Sequence, residues 1–110
     1  MTTAFTTNTQ VPSMGLVNQT TGVAVTTAAA ASNTTFNTGF TPRIVRWQNA
    51  TDRIMHEWYD GMAADSAIKT AANGTRTLET TNGITVGTGY FTVADDVIVA
   101  SKSHYWEAIG

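Results

Sequence analysis

Along the chain, short runs of β-branched and aromatic residues are interrupted at close intervals by Asn, Asp and Gly, a rhythm that predicts antiparallel strands joined by tight turns. Arg43 to Gln48 and Arg53 to Tyr59 flank the turn-like Asn49-Ala50-Thr51-Asp52. A symmetric four-residue loop there pairs Trp47 with Ile54, Val45 with His56 and Arg43 with Trp58 on one face, leaving Arg46 diagonal to Glu57 on the other. Asn73-Gly74 and Asn82-Gly83 predict two further hairpins. Two-residue loops would set Ile68 against Glu79 and Leu78 against Lys69. Three-residue loops ending in a left-handed glycine set Ile68 against Leu78 and Leu78 against Val86, so the second register is expected. It places Ile84 beside that apolar row and turns Lys69, Thr77, Glu79 and Thr85 to solvent.

After Gly87-Thr88-Gly89 the pattern gives a strand over Tyr90 to Val93 and a turn at Asp95-Asp96. An apolar run of the buried-strand kind follows over Val97 to Ala100, and the last strand covers His104 to Ile109. The one helical candidate is a turn from Asp60 to Asp65. The expected fold is all-β, a small antiparallel β-sandwich or barrel-like meander of about seven strands over residues 43–110.

Residues 1–42 read differently. They contain no Asp, Glu, Lys or Arg, but hold most of the threonines, both prolines (Pro12 and Pro42) and three isolated phenylalanines, Phe5, Phe36 and Phe40. Such a stretch has too few large apolar side chains for a core of its own, yet lacks the charge that solvates a disordered tail. It reads as an extended arm that needs a host, and at about 3.4 Å per residue it could reach on the order of 140 Å. Two other readings stand beside this one: a mobile linker, or a strand over Gly22 to Thr26 added to the same domain.

Composition narrows the functional classes. A formal charge of -2 with 13% charged residues gives no basic footprint for nucleic acid. No cysteine is present, so neither a disulfide framework nor a thiolate metal site is available. Neither a signal-peptide pattern nor a membrane-length apolar run occurs, and a soluble protein made in a cytoplasm is expected. A body this small has little core to offset the entropy of ordering, so a homo-oligomer is expected, a trimer in preference.

Candidate chemistry is sparse. His56 and His104 have no metal-ligand spacing, and His56, opposite Val45, reads as a core or interface histidine. No nucleophile elbow, phosphate loop or dinucleotide fingerprint occurs, and Ser103 beside His104 cannot share its strand face. Glu57 with Asp60, or Asp95 with Asp96, could be written as acid/base pairs, but Asp60-Gly61 and Asp95-Asp96 suit turns. Calcium at Asp95 and Asp96 would lack further oxygen ligands. The expectation is no catalytic residue, no metal and no cofactor. The aromatics remain: Phe5, Phe36, Phe40, Trp58, Tyr59, Tyr90 and Trp106 are the candidate assembly residues. In each of Trp58-Tyr59, Tyr90-Phe91 and Tyr105-Trp106, one member should be core and the other outward.

The stretch Arg53-Ile54-Met55-His56-Glu57-Trp58-Tyr59-Asp60-Gly61-Met62, then Ala67-Ile68-Lys69-Thr70, the two Asn-Gly turns and the ending Tyr105-Trp106-Glu107-Ala108-Ile109 resemble small virion proteins of tailed bacteriophages. The type is the capsid decoration, or cement, protein encoded near the major capsid protein, and the likeness, one of overall style, covers about Thr41 to Gly110. The resemblance implies copies on the outer shell of the virion, often trimers, bound to the major capsid protein and bracing it against the pressure of packaged DNA. That type works through distributed contacts, so no functional residue carries over. Two other classes stay open: a glycan or host-receptor module at a tail or fibre, and a small hydrolase.

Overall fold

The computed structural model describes residues 18–28 and 32–110. Eight strands are present: β1 (Gln19–Val25), β2 (Thr34–Asn37), β3 (Ile44–Asn49), β4 (Ile54–Tyr59), β5 (Ser66–Thr70), β6 (Arg76–Gly87), β7 (Tyr90–Val93) and β8 (Ser103–Ile109). They form one antiparallel sheet in the order β1-β8-β3-β4-β5-β6-β7-β2, curled into a half-barrel. Strands β3 to β7 are a meander, β8 returns to pair with β3, and β1 and β2 take the two ends. The all-β class read from the sequence is the observed one, in its barrel-like form.

Local chemistry sets the registers. The Asn49 side chain accepts from the Asp52 backbone N–H at 3.0 Å and donates to the Asp52 carboxylate at 3.0 Å. That clasp makes Ala50 to Arg53 the loop and pairs Trp47 with His56 and Val45 with Trp58. The expected pairs, Trp47 with Ile54 and Val45 with His56, are therefore displaced by two residues. An even shift keeps every side chain on its face, so the inward set survives. At Asn73-Gly74 the three-residue loop forms as expected. Gly74 has φ 90° and donates to the Ala71 carbonyl at 2.8 Å, and Ile68 lies opposite Leu78.

The second Asn-Gly pair makes no hairpin. Strand β6 runs straight through Asn82 and Gly83, with Ala67 paired to Glu79 and Ser66 to Ile84, so Thr80 to Gly83 bulge out of the ladder. The Asp65 carboxylate takes the N–H groups of Asn82 at 3.4 Å and Gly83 at 3.2 Å, supplying acceptors for two donors the bulge removes from the ladder. A Cβ at Gly83 would lie 2.4 Å from the Ser66 carbonyl carbon, so only glycine lets the two backbones approach this closely.

Two expectations change with it. Leu78 and Val86 lie along one strand and do not face each other. The sides also invert: His56 pairs with Lys69 and Lys69 with Thr77, which puts Lys69, Thr77 and Glu79 on the concave side with His56, while Ile68 and the 63% exposed Leu78 lie on the convex side.

Two further segments differ from expectation. Asp60 to Asp65 is a pair of turns, not a helix, with positive φ at Gly61 and Asp65. Val97 to Ala100 is not a strand: a short 3-10 turn (Asp95–Val97) leads into irregular chain that crosses from β7 to β8. Val97 and Ile98 are buried all the same. Side chains replace the ladder there, since the Val99 N–H donates to His104 Nε2 at 3.4 Å and Thr26 Oγ1 donates to the Val99 carbonyl. Apolarity foretold burial, and the need to span the barrel mouth overrode β-propensity.

The core lies on the concave side and comprises Val45, Trp47, Trp58, Ile84, Phe91, Val93, Val97, Ile98 and Ala108 among others, with Phe36, Phe40 and Trp106 packed against it. The uncharged N-terminal stretch is not an arm throughout. Residues 19–25 and 34–37 are strands of the same sheet, and β1 contains most of the alternative strand expected over Gly22 to Thr26. An arm over residues 1–17, and Phe5 with it, lies outside the described residues.

Candidate functional site

Four of the aromatics expected at an interface are used inside the fold. Phe36 sits with ring centroids 5.2 Å from Trp47, 5.2 Å from Phe91 and 5.5 Å from Trp106. Trp106 also meets Phe91 edge-on at 5.1 Å and lies over Gly22 of the paired strand. Trp58 is buried, with its indole N–H donated to the Ala63 carbonyl at 3.3 Å. Phe40 packs against Gly110 beside the core. Their burial adds to a core whose largest fully enclosed side chains are Trp47, Phe91 and Ile84, at about 25 cal/mol per Å² removed from water.

The outward member of each aromatic pair is Tyr59, Tyr90 or Tyr105. Tyr59 donates its hydroxyl to Glu57, Tyr90 covers Gly87, and Tyr105 stands half exposed. Tyr105 was not among the residues singled out. The alternation rule contained it, but choosing it over Trp106 requires knowing that His104, Trp106 and Ala108 share the inner face of β8.

Around Tyr105 the sheet has an open end. Strand β1 pairs with β8 over its whole length, and no described strand pairs along its other side. Burial alternates along it: Thr20, Gly22 and Ala24 face inward, while Val23 and Val25 point outward at 61% and 71% exposure. Val23 lies directly opposite Tyr105. Beside them runs a groove of about 530 Å³ whose walls include Thr21, Gln48 and Met55. Gln19 and Arg46 both donate to Glu107 at its rim, at 3.0 Å and 2.8 Å. An unpaired edge commonly carries a charge, a proline or a bulge that deters further strands, and Gln19–Val25 has neither charge nor proline.

The charged chemistry on the convex side is already spent. The Glu57 carboxylate, nearly buried, receives Arg76 at 3.2 Å, Arg46 at 3.8 Å and the Tyr59 hydroxyl. That bond, and then burial, raise the Tyr59 phenol above its ordinary range. His104 is enclosed and satisfied: its Nε2 accepts from Val99, so Nδ1 carries the proton and donates to the Ala24 carbonyl at 3.2 Å. The ring thus ties β8, β1 and the crossing segment together.

His56 differs. It is 7% exposed, lies opposite Trp47 rather than the expected Val45, and borders a concave pocket of about 310 Å³ that includes Lys69, Glu79, Asn82 and Asp96. Burial, and then the Lys69 charge, lower its pKa from 6.5 to about 4. Among the described residues no group of three or more His, Asp or Glu is arranged to hold a metal ion, and no helix is long and apolar enough to cross a membrane. Comparison with protein-family models, curated proteins and solved structures gave no match to this chain.

Proposed function

We propose that this chain is a non-enzymatic assembly protein, a virion protein of the phage capsid decoration kind, that binds the outer surface of a shell of major capsid protein. The observation that supports this reading is the β1 edge: seven uncharged residues without a described strand on one side, bordered by the outward Val23, Val25 and Tyr105. Such an edge gains ladder hydrogen bonds from any extended segment laid along it, and the valines and tyrosine bury apolar area in the same step. Lack of charge at the edge removes the usual penalty against a neighbouring strand. A homo-oligomer, in preference a trimer, follows if the neighbour is another copy, because a head-to-tail contact closes into a ring.

The test uses the purified chain together with shells of the phage that carries its gene. The chain is expected to run as a trimer in native mass spectrometry and to sediment with the shells. A monomer that stays in the supernatant overturns the proposal. Imaging of the particle separates the shell from a tail, neck or fibre position, which the same edge would also serve.

A further inference from the structure

Nearly every buried polar side chain described here has a partner. Asn49 is held by Asp52, Glu57 by two arginines and a tyrosine, the Ser66 hydroxyl by the Ala63 carbonyl, and His104 by two backbone groups. The Trp47 indole N–H lacks an acceptor, but its ring lies between those of Phe36 and His104. His56 is the other exception, and it opens onto a pocket. The residue is largely buried, its ring has no hydrogen-bond partner among the described residues, and its exposed part borders the pocket. A neutral imidazole offers one donor and one acceptor, and here both can be met only from the pocket.

The neighbours of His56 are also unspent. Lys69 lies directly across the β4–β5 pair, Glu79 comes from β6, Asn82 from the bulge and Asp96 from the 3-10 turn. The ion pairs among the described residues join Arg46, Arg76, Lys102, Asp52, Glu57 and Glu107, and none includes Lys69, Glu79 or Asp96. One ammonium and two carboxylates thus border the same 310 Å³ space without pairing, and Ile54, Val97 and Val99 complete its wall.

We infer that this concave pocket binds a neutral polyhydroxyl ligand the size of a single hexose unit. An anion entering it would meet two carboxylates, and the Lys69 ammonium offsets one of the two charges that would draw a cation. A hydroxyl both donates and accepts, so it can answer Glu79 and Asp96 with its proton and Lys69 and Asn82 with its oxygen. His56 can serve either role, one at each nitrogen. The C–H face of a sugar ring suits Ile54, Val97 and Val99. At roughly 30 Å³ per water the space equals about ten waters, several of which a hexose of about twelve non-hydrogen atoms would displace while replacing their hydrogen bonds. This inference is independent of the β1 edge, which lies on the other side of the sheet.

The experiment is an NMR titration of the isotope-labelled intact chain with methyl glycosides of glucose, galactose and mannose, and separately with glycine and inorganic phosphate. The expected result is saturable shifts of the His56 ring and of the Lys69, Glu79 and Asn82 amides with at least one glycoside at millimolar concentration, and none with glycine or phosphate. Lys69→Met and Glu79→Gln should each weaken that binding about tenfold, the scale of one lost charge-assisted hydrogen bond. The amide spectrum of each variant reports its folding in the same experiment. Saturation by glycine or phosphate instead would overturn the inference in favour of a charged ligand, and shifts that stay linear with all three glycosides would overturn it and leave the pocket as a site for water alone.

Discussion

The two ends of the sheet come from the same uncharged stretch and have opposite fates. Strand β2 is four residues long and closed on its inner face, although its outer flank, like that of β1, has no described strand alongside: Phe36 enters the ring cluster, Thr35 bonds to Thr92 at 3.0 Å, and Asn33 accepts from the Asp95 N–H at 3.1 Å. Strand β1 is seven residues long, and its inward positions carry nothing larger than Thr20 and Ala24, while its valines face out. Composition is common to both strands, so composition does not decide whether a segment completes its own fold or waits for a neighbour. The placement of a single large aromatic does: inward at β2, absent from β1.

The largest expected effect tests the closed end. Phe36→Ala should destabilise the protein by about 3–5 kcal/mol in urea unfolding, the usual cost of deleting a packed aromatic. A loss below about 1 kcal/mol would mean that β2 is not sealed by that ring and the two ends are alike.

Next in size is a response to acid that distinguishes fold from interface. Below about pH 6.5 the unfolded chain takes up a proton on His56 that the folded chain refuses until about pH 4. Stability is therefore level above that window and falls as the pH drops through it, by up to about 3 kcal/mol. Lys69 on β5, Glu79 on β6 and Asp96 in the turn border the same pocket as the ring, and the Lys69 ammonium adds to burial in opposing protonation. Strand β1 carries no titrating group, so ladder bonds between it and a neighbour should persist for as long as the fold does. Unfolding midpoints from about pH 7 to about pH 4, with His56→Leu as the reference, measure the fold. A slope as steep in the variant as in the parent protein would remove His56 as its source.

The smallest expected change in stability falls at the open end. Replacing Val23 and Val25 together with lysine should alter folding stability by less than about 1 kcal/mol, because both side chains are exposed. Assembly is expected to be lost, since a charged edge deters an incoming strand. Light scattering gives the answer directly, and an oligomer that survives both lysines means that assembly uses another surface.

Much of this contrast was legible in the chain, and what was not depends on distant partners. Asn73-Gly74 carries its own turn, whereas Asn82-Gly83 looks identical locally and becomes a bulge because Asp65, far back in the sequence, supplies acceptors there. The Asn49–Asp52 clasp moved a register by two without moving a face, which hydrophobic alternation alone could not detect. Val97 to Ala100 announced its burial and concealed its shape. At the candidate surface, one outward aromatic per pair could be read directly, but Trp106 and Tyr105 exchange roles with the parity of β8, and that parity is fixed by its pairing with β3. The concave cluster was hidden for the same reason, since Lys69 and Glu79 join His56 only once β4 and β5 are aligned.

Strand β8 sits between β1 and β3, although it is the last of the strands to leave the ribosome. Until it arrives, β3 has a bare flank and β1 has no template, so the nascent chain must hold its earliest strand unengaged while the meander collapses. Such long-range closure slows folding. During that interval two apolar flanks, rather than one, are open to passing chains, and a crowded translation site becomes the place where correct and incorrect assembly compete.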